Sequence, residues 1–279
     1  MGYKTILTVL TDPGQMAQLD AAATLAMGED AHLDVFCLGV DHSQAGYYYS
    51  GASAYVLQDA IDKAMGTAES LQDAVRDQLD PVAGLRWAVD SAVAQAGGLT
   101  TLIGMRARYS DVMVHMRPYG DDSAVDGEAV IEAAMFEGNC PVLVLPTDKP
   151  PAFPPRRVLV AWNQSSEAMA AVRRAMPLLI SAESVELTVV DPKPSGPERS
   201  DPGGALCQML VRHGANANIA VLARTERLIS DILIRRATEI DADMIVMGAY
   251  GHSRFREAIL GGATRSMLEK SPVPVLMAR

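Results

Sequence analysis

The chain repeats itself, and that constrains its fold more than any other feature. Lys4-Thr-Ile-Leu-Thr-Val-Leu lines up with Arg156-Arg-Val-Leu-Val-Ala-Trp at an offset of 152, and Ala31-His-Leu-Asp-Val-Phe-Cys-Leu with Glu183-Ser-Val-Glu-Leu-Thr-Val-Val at the same offset. Further on, Ser110-Asp-Val-Met-Val falls on Ala242-Asp-Met-Ile-Val at 132, and Cys140-Pro-Val-Leu-Val on Val273-Pro-Val-Leu-Met at 133. Order and spacing held over four segments mean one supersecondary plan used twice. The offset drops by 20 because the first copy carries an insertion, placed around Gly46–Leu79. Between the copies, Thr147–Pro155 holds four prolines in nine residues, the composition of a stiff, exposed connector. The expected domains are residues 1–146 and 156–279, joined by a linker at 147–155.

Within each copy, short Val/Ile/Leu runs alternate with longer helical patterns. Near-continuous apolar strands separated by helices imply an α/β domain whose parallel sheet is buried on both faces. In the second copy the runs predict strands near 157–162, 185–190, 217–222, 243–248 and 274–278, and helices near 165–180, 204–214, 226–240 and 262–270. In the insertion, Leu57, Ile61, Ala64, Ala68, Leu71, Val75 and Leu79 keep the spacing of one long amphipathic helix. Just before it lies a tyrosine-rich stretch, Gly46–Gly51, readable either as a binding loop or as ordinary packing. Apolar edges left unpaired are a liability, so Pro141–Leu145 and Pro274–Ala278 are expected to pair with each other across a pseudo-twofold axis.

Net charge is −10 but unevenly spread: −13 over residues 1–150 and +3 over 151–279. A polyanionic ligand is favoured by the field of the second half, although solvated surfaces alone account for such a split. No basic stripe with interleaved aromatics appears, which argues against nucleic acid as a partner. No apolar stretch approaches the ~20 residues that span a bilayer, and the apolar start ends at Thr11-Asp12, too short for a signal segment. Cys37, Cys140 and Cys207 are odd in number and widely spaced, which reads as buried free thiols in a cytoplasmic protein. His32, His42, His115, His213 and His252 form no metal-ligand spacing, and His115 on an apolar strand reads as a satisfied core residue.

Chemistry concentrates in one loop. The second copy runs Asp243-Met-Ile-Val-Met-Gly248-Ala-Tyr-Gly251-His252-Ser-Arg254-Phe-Arg256, then reaches Gly261-Gly262 and a helix. In an open α/β sheet ligands bind at the carboxyl ends of strands, where the strand order reverses. Glycines there let backbone N–H groups approach a phosphate, and a helix starting at Gly262 adds free N–H groups and partial positive charge. His252, Arg254 and Arg256 supply further charge. The same glycines also serve tight turns and close packing with no ligand at all.

The spacing Gly248-x2-Gly251-x9-Gly261, after an Asp-Met-Ile-Val-Met-Gly strand and before a Pro-Val-Pro-Val-Leu strand, closely resembles the universal stress protein family, whose ATP-binding branch has Gly-x2-Gly-x9-Gly-(Ser/Thr). Val158-Leu-Val-Ala-Trp-Asn-Gln-Ser-Ser-Glu-Ala is similar to that family's first strand and turn. The resemblance covers the chain twice, as in tandem two-domain members. It implies two Rossmann-like domains of the adenine nucleotide alpha hydrolase-like kind, each a five-stranded parallel sheet flanked by helices. It further implies a nucleotide, ATP or AMP, in the second copy, with Mg2+ accompanying ATP. By that likeness Asn163 ends the first strand near the adenosine, Val190 and Asp191 border the adenine, and Gly248, Gly251, Gly261 and Gly262 contact the phosphates through their backbone. Trp162, Met247, His252, Arg254, Ala263 and Thr264 complete the nucleotide-binding set that the resemblance implies.

Two positions depart from the family pattern. Its usual Asp is Asn163 here, and the Ser/Thr after its third glycine is Gly262, with Thr264 close by. Loss of one hydrogen bond to a charged group lowers affinity about ten- to a hundredfold. The first copy departs entirely. Met116 and Tyr119 stand where the second copy has Gly248 and Gly251, and Asp121, Asp122, Asp126 and Glu128 repel an anion.

No Gly-x4-Gly-Lys-(Ser/Thr), Gly-x-Gly-x2-Gly or Gly-x-Ser-x-Gly motif occurs. The Ser-Gly-Gly-x-Asp-Ser loop and the His-Ile-Gly-His signature of enzymes related in fold are also missing. The expectation is a stress-response protein that binds an adenine nucleotide in its second domain and is not an efficient enzyme. The alternatives are a nucleotide-independent interaction scaffold and a weak ATP hydrolase. An internal pseudo-dimer, and a homodimer beyond it, are the expected assemblies.

Overall fold

A computed structural model describes residues 2–43, 54–120, 123–146, 153–192, 200–249 and 262–279. The chain forms two compact units, Tyr3–Cys140 and Pro141–Arg279. The tyrosine-rich stretch lies outside the described residues, as do residues 147–152 of the proline-rich connector.

The N-terminal unit holds four strands, β1 (Thr5–Leu10), β2 (His32–Asp41), β3 (Arg86–Gln95) and β4 (Val112–Met116), all parallel in the order β3-β2-β1-β4. Its helices are α1 (Met16–Glu29), α2 (Ala54–Leu79), α3 (Leu99–Ala107) and α4 (Gly127–Phe136). The insertion is the long helix that the spacing predicts. Ala64, Ala68, Leu71, Val75 and Leu79 are all buried in one apolar stripe, whereas Ile61, expected on the same stripe, is exposed, and the side chain of Leu57 lies outside those described. The helix backbone comes right down onto β2. A Cβ on Gly39 would sit 1.8 Å from the carbonyl oxygen of Ala64, so only glycine fits there.

The C-terminal unit holds β5 (Val142–Leu145), β6 (Arg157–Ala161), β7 (Ser184–Val190), β8 (Ala217–Leu222), β9 (Met244–Gly248) and β10 (Val275–Ala278) in the order β5-β10-β9-β6-β7-β8. Its helices are α5 (Ser166–Ser181), α6 (Gly204–Arg212), α7 (Ile229–Glu239) and α8 (Ala263–Lys270). β6 to β10 are parallel, and β5 runs antiparallel to β10, with Val144 opposite Val275 and Val142 opposite Met277. The first copy's last strand therefore pairs with the second copy's last strand, as the apolar edges predict. β5 and β10 are buried along their whole length, and the pairing satisfies backbone that an apolar edge would leave open.

The repeat extends to individual hydrogen bonds. Asp111 Oδ2 accepts the N–H groups of Lys4 and Thr5 at 2.7 and 3.0 Å, and Asp243 Oδ2 accepts those of Arg156 and Arg157 at 2.8 and 2.9 Å. Each carboxylate sits at the start of one central strand and fastens the start of its neighbour. Cys37 and Cys140 are buried as expected, whereas Cys207 on α6 is only half-buried. Among the described residues no helix is long and apolar enough to cross a membrane.

Candidate functional site: the carboxyl ends of β6, β7 and β9

In the C-terminal unit the chain runs outward from β6 through β7 to β8, then crosses back to β9 on the other side of β6. The β6/β9 junction is thus the point where successive connections diverge to opposite sides and leave a crevice. β9, α8 and β10 form one parallel crossover, so α8 runs against the strands and its N-terminus lies at their carboxyl ends.

Two helices begin beside this crevice, and they begin differently. At α5, Asn163 Oδ1 accepts the Ser165 N–H at 3.1 Å, Gln164 turns the chain with φ 64°, and Ser165 Oγ caps the helix by accepting the Ala168 N–H at 3.1 Å. Glu167 follows in the first turn, its carboxyl held below the usual range by its own backbone N–H and the hydroxyls of Ser165 and Ser166. The α5 terminus is therefore already occupied by side-chain oxygen. At α8 the N-cap is Gly262, which has no side-chain oxygen to offer, and the first turn carries no acid. That N-terminus keeps its partial positive charge.

Asn163 does in this turn what an aspartate would do. The replacement keeps the acceptor that orders the chain ahead of α5 and removes only the charge. Gly248 ends β9, and a Cβ there would lie 2.5 Å from the Ala168 nitrogen and 2.9 Å from Glu167 Cβ. Close packing of α5 therefore already demands this glycine. Met247 is buried, Ala263 half-buried, and Thr264 buried on the first turn of α8. Gly251, His252, Arg254 and Gly261 lie outside the described residues, as does Arg256.

On the other side of the crevice, Trp162 follows β6 and donates its backbone N–H to the Thr188 carbonyl at 3.0 Å. Its side chain is 6% exposed and packs beside Gly203, whose would-be Cβ lies 3.6 Å from Trp162 Cδ1 and 3.5 Å from Val189 Cγ2. Nε1 finds no hydrogen-bond partner. Val190 ends β7 half-buried. Asp191 is exposed in a left-handed conformation with φ 49°, its N–H bonded to the Leu222 carbonyl at 2.9 Å. The described site residues thus stand along the ends of β6, β7 and β9 and at the start of α8.

The N-terminal unit closes the equivalent place. Gln18 lies fully buried across the carboxyl ends of β1 and β4. It accepts the Met116 N–H at 2.8 Å and donates to Val9 O at 2.8 Å and Thr8 Oγ1 at 2.9 Å. Gln15 Oε1 accepts the N–H groups of Thr11 and Asp12 at 2.7 and 3.0 Å, completing a capping box with Asp12. At α4, Pro118 and His115 press against Gly127, at 3.2 and 3.3 Å from its would-be Cβ, and the preceding residue, Asp126, sits 3.3 Å from His42. Tyr119 is half-buried, while Asp121 and Asp122 lie outside the described residues.

Sequence reasoning foresaw an acidic, bulky loop here but missed the glutamines that stitch the crevice. The Asp12-x-x-Gln15 spacing was their one visible signal. His115 also differs from expectation: Nδ1 bonds the Met116 carbonyl at 2.7 Å, yet Nε2 has no partner. Among the described residues, no three His, Cys, Asp or Glu side chains gather as metal ligands.

A unit whose parallel strands run outward from β6 to β8 and then cross back to β9 is a doubly wound, open α/β sheet. Residues 155–279 match the sequence profile of the universal stress protein family. A universal stress protein of Synechocystis sp. is 37% identical over 49 residues, which make up 18% of this chain and 17% of that protein. A universal stress protein of Archaeoglobus fulgidus shares the fold with a TM-score of 0.72 at 17% identity, over 99% of this chain and 98% of that one. A functionally unknown protein of Pseudomonas aeruginosa does so with a TM-score of 0.59 at 16% identity, over 99% and 92%.

Proposed function

We propose that residues 156–279 bind an adenine nucleotide, ATP or AMP, as part of a stress response, with Mg2+ accompanying ATP and without efficient catalysis. Residues 1–146 serve as a structural partner domain, joined through the linker at 147–155. One observation carries this reading: α8 begins on Gly262, which has no side chain to cap the helix, with no acid in its first turn, at the carboxyl ends of the sheet's strands. Phosphate is the group such a terminus attracts. The N-terminal unit offers no such place, because Gln18 spans its crevice and Asp126 precedes its helix.

Calorimetric titration of the full chain with ATP and AMP, with and without Mg2+, tests the proposal, together with mass spectrometry of co-purified nucleotide. Saturable binding that Gly251→Val abolishes is the expected result. No heat at millimolar nucleotide overturns it.

A second reading, a nucleotide-independent interaction scaffold, draws on the packing of α5 against Gly248, which explains one glycine of the loop with no ligand. It predicts unchanged partner capture in Gly251→Val.

A further inference from the structure

We propose that the N-terminal unit binds a small alkylguanidinium in the cavity beside Asp34. This site stands apart from the nucleotide reading, because Asp34 lies near the amino end of its ten-residue strand, β2.

The two units carry matching pieces at this spot. Asp34 on β2 corresponds to Glu186 on β7 at the repeat's offset of 152, and Ile103, Arg106 and Ala107 of α3 fall on Leu233, Arg236 and Ala237 of α7 at an offset of 130. Ile103, Ala107, Leu233 and Ala237 are all buried, so both helices lie on their sheets in the same rotation. In the C-terminal unit Arg236 lies on Glu186 with two hydrogen bonds of 2.8 Å, and the Glu186 side chain is 10% exposed. In the N-terminal unit Arg106 goes elsewhere. It bonds Asp90 of β3 and stacks on Phe36, 4.6 Å from the ring centroid. Asp90 stands opposite Phe36 in the β2–β3 register. The C-terminal unit has Ala220 opposite Thr188 there, with neither carboxylate nor ring to draw the arginine away.

The consequence is a carboxylate without its guanidinium. Among the described residues the Asp34 carboxylate has one partner, His32, whose Nε2 is 3.3 Å from Oδ1, and its side chain is 45% exposed and open to a ligand. A cavity of about 260 Å³ adjoins it, with Leu7, Phe36, Ala88 and Val89 in its apolar lining. Asp90 and Arg106 line it too and neutralise each other, which leaves Asp34 as the uncompensated charge. The −13 charge of residues 1–150 draws cations toward it. The complementary group is the one the other unit supplies from within: a planar guanidinium that takes a carboxylate bidentately, on an apolar stem.

Calorimetric titration of the full chain with butylguanidinium tests this, with butylurea as a neutral analogue of the same shape. Saturable binding of butylguanidinium is expected, about tenfold or more tighter than that of butylurea, the value of a charge-assisted hydrogen bond. Asp34→Asn, which keeps the shape and removes the charge, should weaken binding by about as much. Ala88→Leu, which fills the cavity and alters no charge, should do the same. Full affinity retained in either variant assigns the binding to the acidic surface at large and overturns the site, as does a titration that never saturates. Should Asp34→Asn fail to fold, the comparison with butylurea decides, and equal affinity overturns the proposal. Nα-acetylarginine N-methylamide carries the same group on a peptide backbone. If it binds more tightly than butylguanidinium, the guanidinium belongs to a protein partner and the small ligand is overturned.

Discussion

Asp243 holds Arg157 by its backbone: Oδ2 accepts the Arg157 N–H at 2.9 Å, and Asp111 makes the same bond to Thr5 at 3.0 Å in the other unit. Each aspartate accepts a second N–H as well, so one carboxylate satisfies the open start of a central strand. Asp243→Ala should destabilise the C-terminal unit by about 1–3 kcal/mol. Asp111→Ala should do the same to the N-terminal unit. Denaturant unfolding monitored by hydrogen exchange separates the two, each variant loosening only its own unit.

His115 should make the N-terminal unit sensitive to mild acid. Burial pushes its pKa down to about 4, against the opposing effect of its bond to the Met116 carbonyl. In the unfolded chain the ring titrates near 6.5. Between those values the unfolded state binds the extra proton, so stability is intact above pH 6.5 and is lost as pH falls toward 4. The full loss amounts to about 3 kcal/mol at most. His115→Leu, compared with wild type by thermal melting from pH 7 to 4.5, should flatten this part of the profile.

Glu186 of β7 and Arg236 of α7 form a bidentate pair, 2.8 Å on each arm, with Thr188 adding a bond to Glu186 at 3.2 Å. Burial pushes the Glu186 carboxyl upward, but Arg236, Thr188 and Asn218 outweigh it and hold the group below the usual carboxylate range. Removing one partner strands the other. Glu186→Gln should cost about 2–3 kcal/mol, discounted from the fully buried case because the Arg236 side chain is 26% exposed. Glu186→Leu combined with Arg236→Met should recover most of that loss, which a double-mutant cycle in urea measures.

Gly39→Ala should destabilise by about 3 kcal/mol, since the added carbon meets the Ala64 backbone and α2 must lift off β2. Gly66→Ala, in the same helix with open space around it, should stabilise by about 0.5–1 kcal/mol. Opposite shifts in melting temperature from one chemical change identify the contact as the cause.

The repeat, the parallel strands and the helix of the insertion were all visible in the residues. Strand and helix periods are local properties: Leu71, Val75 and Leu79 have to share a face whatever covers them. The strands of the second copy fall within a residue of the positions read from Val158, Val185 and Met244. The glycine spacing was visible too, but its meaning was divided. Gly262 is the N-cap of α8 and has no side chain to cap it, while Gly248 is required by Ala168, a residue 80 positions away.

Residue order alone was therefore enough to establish that two α/β units of one plan are linked, and that only the second keeps a glycine loop. Tertiary structure decided the register of β5 on β10, because both strands are apolar along their length and the sequence does not say which residues stand opposite each other. It also decided that Gln18 bridges the ends of β1 and β4 and that Trp162 is buried beside Gly203. Both depend on which distant backbone a side chain meets, and that is a property of packing rather than of period.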